Sequence, residues 1–274
     1  MKKLITYILL LLPLASQAQT IGNYLGDESL MYAETKQVNQ FLRRFNNEED
    51  KAGNKYSPNS QEYRSNEMRP QYIRLLFDAQ NPSISAATKE AFIKDVTAPN
   101  NTKYLEFHNG DWFAEVVAEF KWKGRPAKAN LFLKLEKDGP GYKWVISGCY
   151  FEEFSRLFQK NNDGVSKFLH PMSHELDFMN LIKVFNDKGH LTDYAEKDFQ
   201  PDYLTLLIYE LKQNNLKFET ISKVNFHFFQ IDGWYFELSE FNRASYNSGW
   251  LISSMTKLAP NDKKILLDYI INKE

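Results

Sequence analysis

The sequence predicts an α+β fold in which one helix–helix–sheet pattern is written twice. Three observations lead there. A strand ending recurs, YKWVIS at 142–147 and SGWLIS at 248–253. A glycine turn precedes each, and a helix start precedes each turn, in the same order. Internal repeats come first because missing one mis-assigns every later element.

The chain opens with Lys2 and Lys3, an apolar run over 4–14 and the small-residue triplet Ser16-Gln17-Ala18. That order predicts a secretory signal peptide over 1–18, cut before Gln19. The apolar run is short against the ~20 residues of a membrane span. No later segment is apolar for long enough, so no membrane span is expected after cleavage.

The first half, 19–158, begins with an amphipathic helix ending in Phe41-Leu42-Arg43-Arg44-Phe45-Asn46-Asn47. Its counterpart is Leu181-Ile182-Lys183-Val184-Phe185-Asn186-Asp187 in the second half, 170–274. Two octets follow, PQYIRLLF from Pro70 and PDYLTLLI from Pro201. Both are expected to start helices with proline in the first turn, where its missing N–H costs nothing. The first half then carries additional chain: an expected helix over 86–96, a short strand over 104–108, and Asn109-Gly110 as a hairpin turn. Trp112, Ala114, Val116, Ala118, Phe120 and Trp122 alternate with Glu115, Glu119 and Lys121, which predicts a strand with one buried and one wet face. Lys123-Gly124 and Asp232-Gly233 supply the turns into the next strands. The linker between halves reads as 155–172, with a turn at Asn161-Asn162-Asp163-Gly164.

Helix, helix and a long antiparallel sheet whose last strand enters at tryptophan resemble the NTF2-like, or cystatin-like, superfamily. Here that strand follows Lys137-Asp138-Gly139 and begins at Trp144. The resemblance covers 37–154 and 173–258. It implies two fused NTF2-like domains, each with helices packed on a curved antiparallel sheet. The superfamily includes isomerases, dehydratases and non-catalytic binding or assembly domains, so the fold does not fix the function.

Without Lys2 and Lys3 the chain holds 32 basic and 35 acidic residues, a net charge of −3. No clustered positive charge suggests nucleic acid. A single cysteine, Cys149, leaves an exported chain without an internal disulfide, so its stability must come from its cores. An aromatic content of 15% suits that demand.

No P-loop, G-x-G-x-x-G, G-x-S-x-G or diagnostic carboxylate pair occurs. His170 and His174 lie four apart, but Pro171 places the first outside the following helix, so no metal site is expected. Cys149 has no histidine tied to it by a motif and reads as a buried strand residue. His108 and Asp111 flank the Asn109-Gly110 turn. The superfamily's enzymes work with an Asp or His in the sheet's pocket, which makes His227 and Asp232 the catalytic candidates here. Asn225, Phe229, Trp234 and Phe236 are the candidate ligand pocket. The aromatic cluster they belong to, with Phe226, Phe228, Tyr235 and Phe241, reads first as core. The expectation is an exported, periplasmic or secreted, non-catalytic binding or assembly module without a cofactor. Its partner is an envelope protein or a small apolar ligand. The alternative is a small-molecule enzyme or ligand carrier using the second half's pocket.

Overall fold

The computed structural model describes residues 37–50, 52–158, 168–169, 181–244 and 247–272. The expected signal peptide, His170, His174 and the turn at 161–164 lie outside them. The chain is α+β, with one curved six-stranded antiparallel sheet. The strands are β1 (Trp112–Trp122), β2 (Arg125–Asp138), β3 (Gly141–Phe151), β4 (Leu216–Phe228), β5 (Trp234–Phe241) and β6 (Gly249–Lys257), in the order β3-β2-β1-β4-β5-β6. From the centre outward, each side of the sheet therefore reads first, second and third strand of a meander. The two meanders join where β1 pairs antiparallel with β4, with Glu115 opposite Asn225 and Val116 opposite Val224.

The repeated W-x-I-S ending has a structural reason. Trp144 lies in β3 and Trp250 in β6, the third strand of each meander. In β3, Phe132 of β2 pairs with Gly148 and Leu133 with Ile146, so Ser147 is an extra, bulged residue. In β6, Glu237 of β5 pairs with Ser254 and Leu238 with Ile252, so Ser253 is the bulged residue. A bulge breaks the ladder locally. Each serine hydroxyl compensates by donating to a neighbouring-strand carbonyl: Ser147 Oγ to Phe132 O at 3.1 Å, Ser253 Oγ to Glu237 O at 3.2 Å.

The helices are α1 (Val38–Asn46), α2 (Arg69–Leu75), α3 (Ala86–Val96), α4 (Glu152–Leu157), α5 (Leu181–Asn186), α6 (Tyr203–Lys212) and α7 (Asp262–Asn272), with a 3-10 helix at Lys188–Tyr194. The α3 helix matches its expected bounds, because the Ser85 side chain accepts from the Thr88 amide and caps its first turn. Pro70 stands in the first turn of α2. Pro201 does not stand inside α6: Asp202 is the N-cap, its carboxylate accepting from Leu204 N, and the proline precedes it. Residues 104–108 form no strand. Asn46 holds Leu105 through both of its backbone groups, and Gln230 holds Glu106 in the same way, so side-chain amides take the place of a ladder. Asn109-Gly110 therefore closes no hairpin; β1 pairs with β2 and β4 instead.

Helix cover is crossed between the halves. Phe41, Phe45 and Phe92, from the first half, meet Phe228, Trp234 and Phe236 of the second at centroid distances of 5.3–6.5 Å. Tyr203, Leu204 and Leu207 of α6, from the second half, pack on Ala118, Phe120, Ala129, Cys149 and Phe151 of the first. Both covers lie on the face that carries Trp112, Ala114, Ala118 and Phe120. The opposite face is covered at one end by α7, whose Leu266, Leu267, Ile270 and Ile271 pack with Phe113, Phe132, Phe229 and Tyr235.

Arg69 fastens the first cover. Its guanidinium is fully buried and donates to Phe45 O at 2.9 Å, Val96 O at 3.1 Å and Lys103 O. Phe45 lies in the last turn of α1 and Val96 ends α3, so one cation serves the carbonyl-rich, negative ends of two helices. The rings of Phe45 and Tyr104 lie 5.2 and 4.4 Å from it. Burial pushes the guanidinium pKa down to about 10, which still leaves it charged at neutral pH.

Candidate functional site

Alternation along β4 puts Asn225 and His227 on the α7 side of the sheet and Phe226 and Phe228 on the side of the crossed helices. His227 is 2% exposed. Its Nδ1 lies 2.8 Å from the Tyr235 hydroxyl and its Nε2 2.9 Å from Glu115 Oε2. Asn130 Nδ2 donates to the other oxygen of Glu115. An ionised Glu115 can only accept, and it would pair with the tautomer that carries its proton on Nε2. The imidazole stacks on Phe113, with centroids 4.9 Å apart. Burial, and then the charges of Glu237 and Glu115, raise the Tyr235 phenol well above its ordinary value, so it stays protonated.

This chain of side chains runs across four strands: Asn130 on β2, Glu115 on β1, His227 on β4 and Tyr235 on β5. Sequence alternation assigns Glu115 to a wet face, yet it is buried. The reason is the β1–β4 pairing, which sets it beside the histidine under the side of the sheet that α7 partly covers. Sequence reasoning also missed Tyr235 as a partner of His227. The signal was their shared side of a hairpin, on strands separated only by residues 229–233.

The sequence-selected residues do not converge on one place. Asn225 lines an open cleft of about 340 Å³ between residues 221–225 of β4 and Ser239 and Glu240 of β5. The cleft exists because β5 pairs only with the last four residues of β4, so the two strands diverge below Asn225. Asn225 Oδ1 accepts from Ser239 Oγ at 3.1 Å, and that hydroxyl lies 2.9 Å from Ser253 Oγ. Phe229 packs under α7. Trp234 and Phe236 are on the opposite face, inside the core beneath α1 and α3. Asp232 sits in the β4–β5 turn, its carbonyl 3.5 Å from Lys103 Nζ. His227 does not line the cleft.

Cys149 is buried beneath α6, and burial pushes its thiol up to about 12, far from a thiolate nucleophile. His108 stacks on Tyr142 at 4.2 Å, and Asp111 pairs with Lys263 of α7 at 3.2 Å. Among the described residues, no three His, Cys, Asp or Glu side chains are placed to hold a metal ion, and no helix is long and apolar enough to cross a membrane. No protein-family model, curated protein or solved structure matches the chain.

Proposed function

We propose that the protein is an exported, non-catalytic binding or assembly module, periplasmic or secreted, whose two repeated halves are NTF2-like units. The observation that carries the non-catalytic part is the engagement of His227. An acid–base histidine needs a ring nitrogen within reach of the substrate. Both nitrogens of His227 are taken by Glu115 and Tyr235, and Phe113 covers the ring. The group is suited to fixing the register of four strands rather than to moving a substrate proton. The export part rests on the order of charged, apolar and small residues over 1–18. The NTF2-like part is supported by the four ordered sequence anchors, by helices lying on a curved antiparallel sheet, and by a bulged serine at the same point of each meander. Each unit would then take its helices from the other half.

The test is complementation. A deletion strain carrying His227→Gln, exported at the wild-type level, is expected to behave as wild type. Loss of function by that folded and exported variant refutes the non-catalytic reading. A mature chain that retains Met1 refutes export. A second reading, a small-ligand carrier, is favoured by the β4–β5 cleft. Its volume lies just above the ~300 Å³ lower end for ligand sites, and Asn225 is in its wall. Thermal-shift screening with small apolar compounds, compared with Asn225→Ala, checks it.

A further inference from the structure

The repeat makes the two third strands comparable, and they are not equally covered. In β6, Trp250 is 8% exposed and Ile252 fully buried. Residues 76–78 run alongside that edge: Asp78 N donates to Ile252 O at 3.1 Å and Ile252 N to Leu76 O at 2.8 Å. In β3 the matching Trp144 and Ile146 are 41% and 45% exposed, with Tyr142 at 43%. Counting from Pro70 and Pro201, the counterparts of 76–78 are 207–209, and these are spent inside α6. Among the described residues, none of the second half lies along the upper part of β3 as a strand partner.

The other unpaired edge is defended. Among the described residues, the lower half of β4 has no strand neighbour on its β5 side, but it is bulged at Glu219 and Ser222 and carries Lys217 and Lys223. Bulges and lysines are the usual means of blocking strand addition. Residues 142–146 of β3 have no bulge and one lysine. The side chains of Tyr142, Trp144 and Ile146 lie on the face of Trp112, which Trp144 meets edge-on at 5.5 Å.

We infer that β3 is a self-association edge, on which a second copy of this chain adds its own β3 antiparallel, centred on Trp144. The inference rests on the assembly reading above and names the partner. The stretch is self-complementary in this register. Trp144 faces its own copy, Tyr142 faces Ile146 of the partner subunit, and Lys143 faces Val145 of the partner subunit. Centring on Lys143 would set two lysines against each other, which is destabilising. Centring on Val145 would bring the Ser147 bulge into the ladder. The added strand gives β3 the backbone partner that residues 76–78 give β6 within the chain, and it joins two sheets into one of twelve strands. Five paired residues cover less than the ~1,200–2,000 Å² of a stable interface, so a dimer with a dissociation constant of roughly micromolar order is expected.

Sedimentation of the chain from residue 19 onward, across the micromolar range, reads the dimer directly. Trp144→Glu is expected to weaken it at least tenfold, whereas Ile221→Glu, a charge placed on the exposed lower part of β4, leaves it unchanged. A register test keeps Trp144 intact in case its variant misfolds. Tyr142→Cys and Ile146→Cys in one chain bring cysteines opposite each other, within the ~4.5–5.5 Å Cα separation of paired strands. That double variant is expected to form a disulfide-linked dimer on mild oxidation, and neither single variant is. A chain that stays monomeric throughout overturns the inference, as does a single cysteine variant that links as readily as the double. Capture of a foreign strand by a monomeric chain overturns it too. All of these are separate from the His227→Gln result, which decides the reading beneath.

Discussion

Replacing Arg69 with Met removes a buried cation while keeping a flexible chain of similar reach. The carbonyls of Phe45 and Lys103 lose their donor, while Val96 O keeps the Lys103 amide at 3.0 Å. A buried polar group left without a partner costs ~1–3 kcal/mol. Removing a desolvated charge returns part of this, since a buried ion replaced by an apolar side chain can come out close to neutral. The balance should be a loss of roughly 2–4 kcal/mol, because the two carbonyls are fixed by a helix end and a loop and cannot both turn to water. Against a typical stability of ~5–15 kcal/mol this is a severe change. It corresponds to a fall in Tm of roughly 4–16 °C at ~2–4 °C per kcal/mol for a chain of this size. Urea unfolding followed by tryptophan fluorescence measures it, with an unchanged m-value expected. Arg69→Lys should fall between, because one ammonium cannot span three carbonyls held by a planar fork. A loss below about 1 kcal/mol for the Met variant would refute the idea that Arg69 fastens α1 and α3 to the loop at Lys103.

Ser147→Ala and Ser253→Ala should each cost about 0.5–1.5 kcal/mol. Their costs should add, since they sit on opposite edges of the sheet; no effect at one site would break the equivalence of the two bulges. Cys149 should resist thiol reagents in the native protein at pH 8 and react only on unfolding, because its thiol is buried and pushed up to about 12; stoichiometric labelling of folded protein would contradict this. Burial alone would raise the Asp78 carboxyl, but hydrogen bonds from Arg243 and from the Gln80 amide outweigh it and hold its pKa below the usual value. Its contribution is present above the unfolded carboxylate pKa of ~3.9 and is lost as pH falls through the lower folded one. The Tm gap between wild type and Asp78→Asn should therefore narrow below about pH 4, and a gap constant from pH 6 to pH 2 would count against it.

What the sequence announced was local. The α3 helix was legible to the residue because Ser85 caps it and the apolar residues follow. The β1–β2 turn was legible because Lys123 and Gly124 both take positive φ, at 49° and 82°, as a two-residue hairpin requires. The W-x-I-S repeat was visible, but its serine had no explanation until the bulges placed it. The pairing of β1 with β4 was not legible, since no local pattern says which of six amphipathic strands meet. What depends on that pairing was hidden with it: the burial of Glu115 and its contact with His227. The separation of Asn225 and Phe229 from Trp234 and Phe236 follows instead from the β4–β5 register. The false strand at 104–108 came from reading a short apolar-rich run as a ladder, whereas Asn46 and Gln230 hold the backbone of Leu105 and Glu106. The C-terminal α7 was not anticipated, although ILLDYII at 265–271 could have announced it.

Crossed helix cover constrains how the molecule can come together in time. The helices made first, α1 to α3, have much of their apolar counterpart in the strands made last, so the core around Phe41, Phe45 and Phe92 is incomplete until β4 to β6 exist. The same holds in reverse for β1 to β3, which wait for α6. Contacts so distant along the chain must bear the entropy of closing long loops before any burial rewards them. A ribosome that has delivered only the first half has therefore delivered a three-stranded meander and three helices whose apolar faces still await their counterparts.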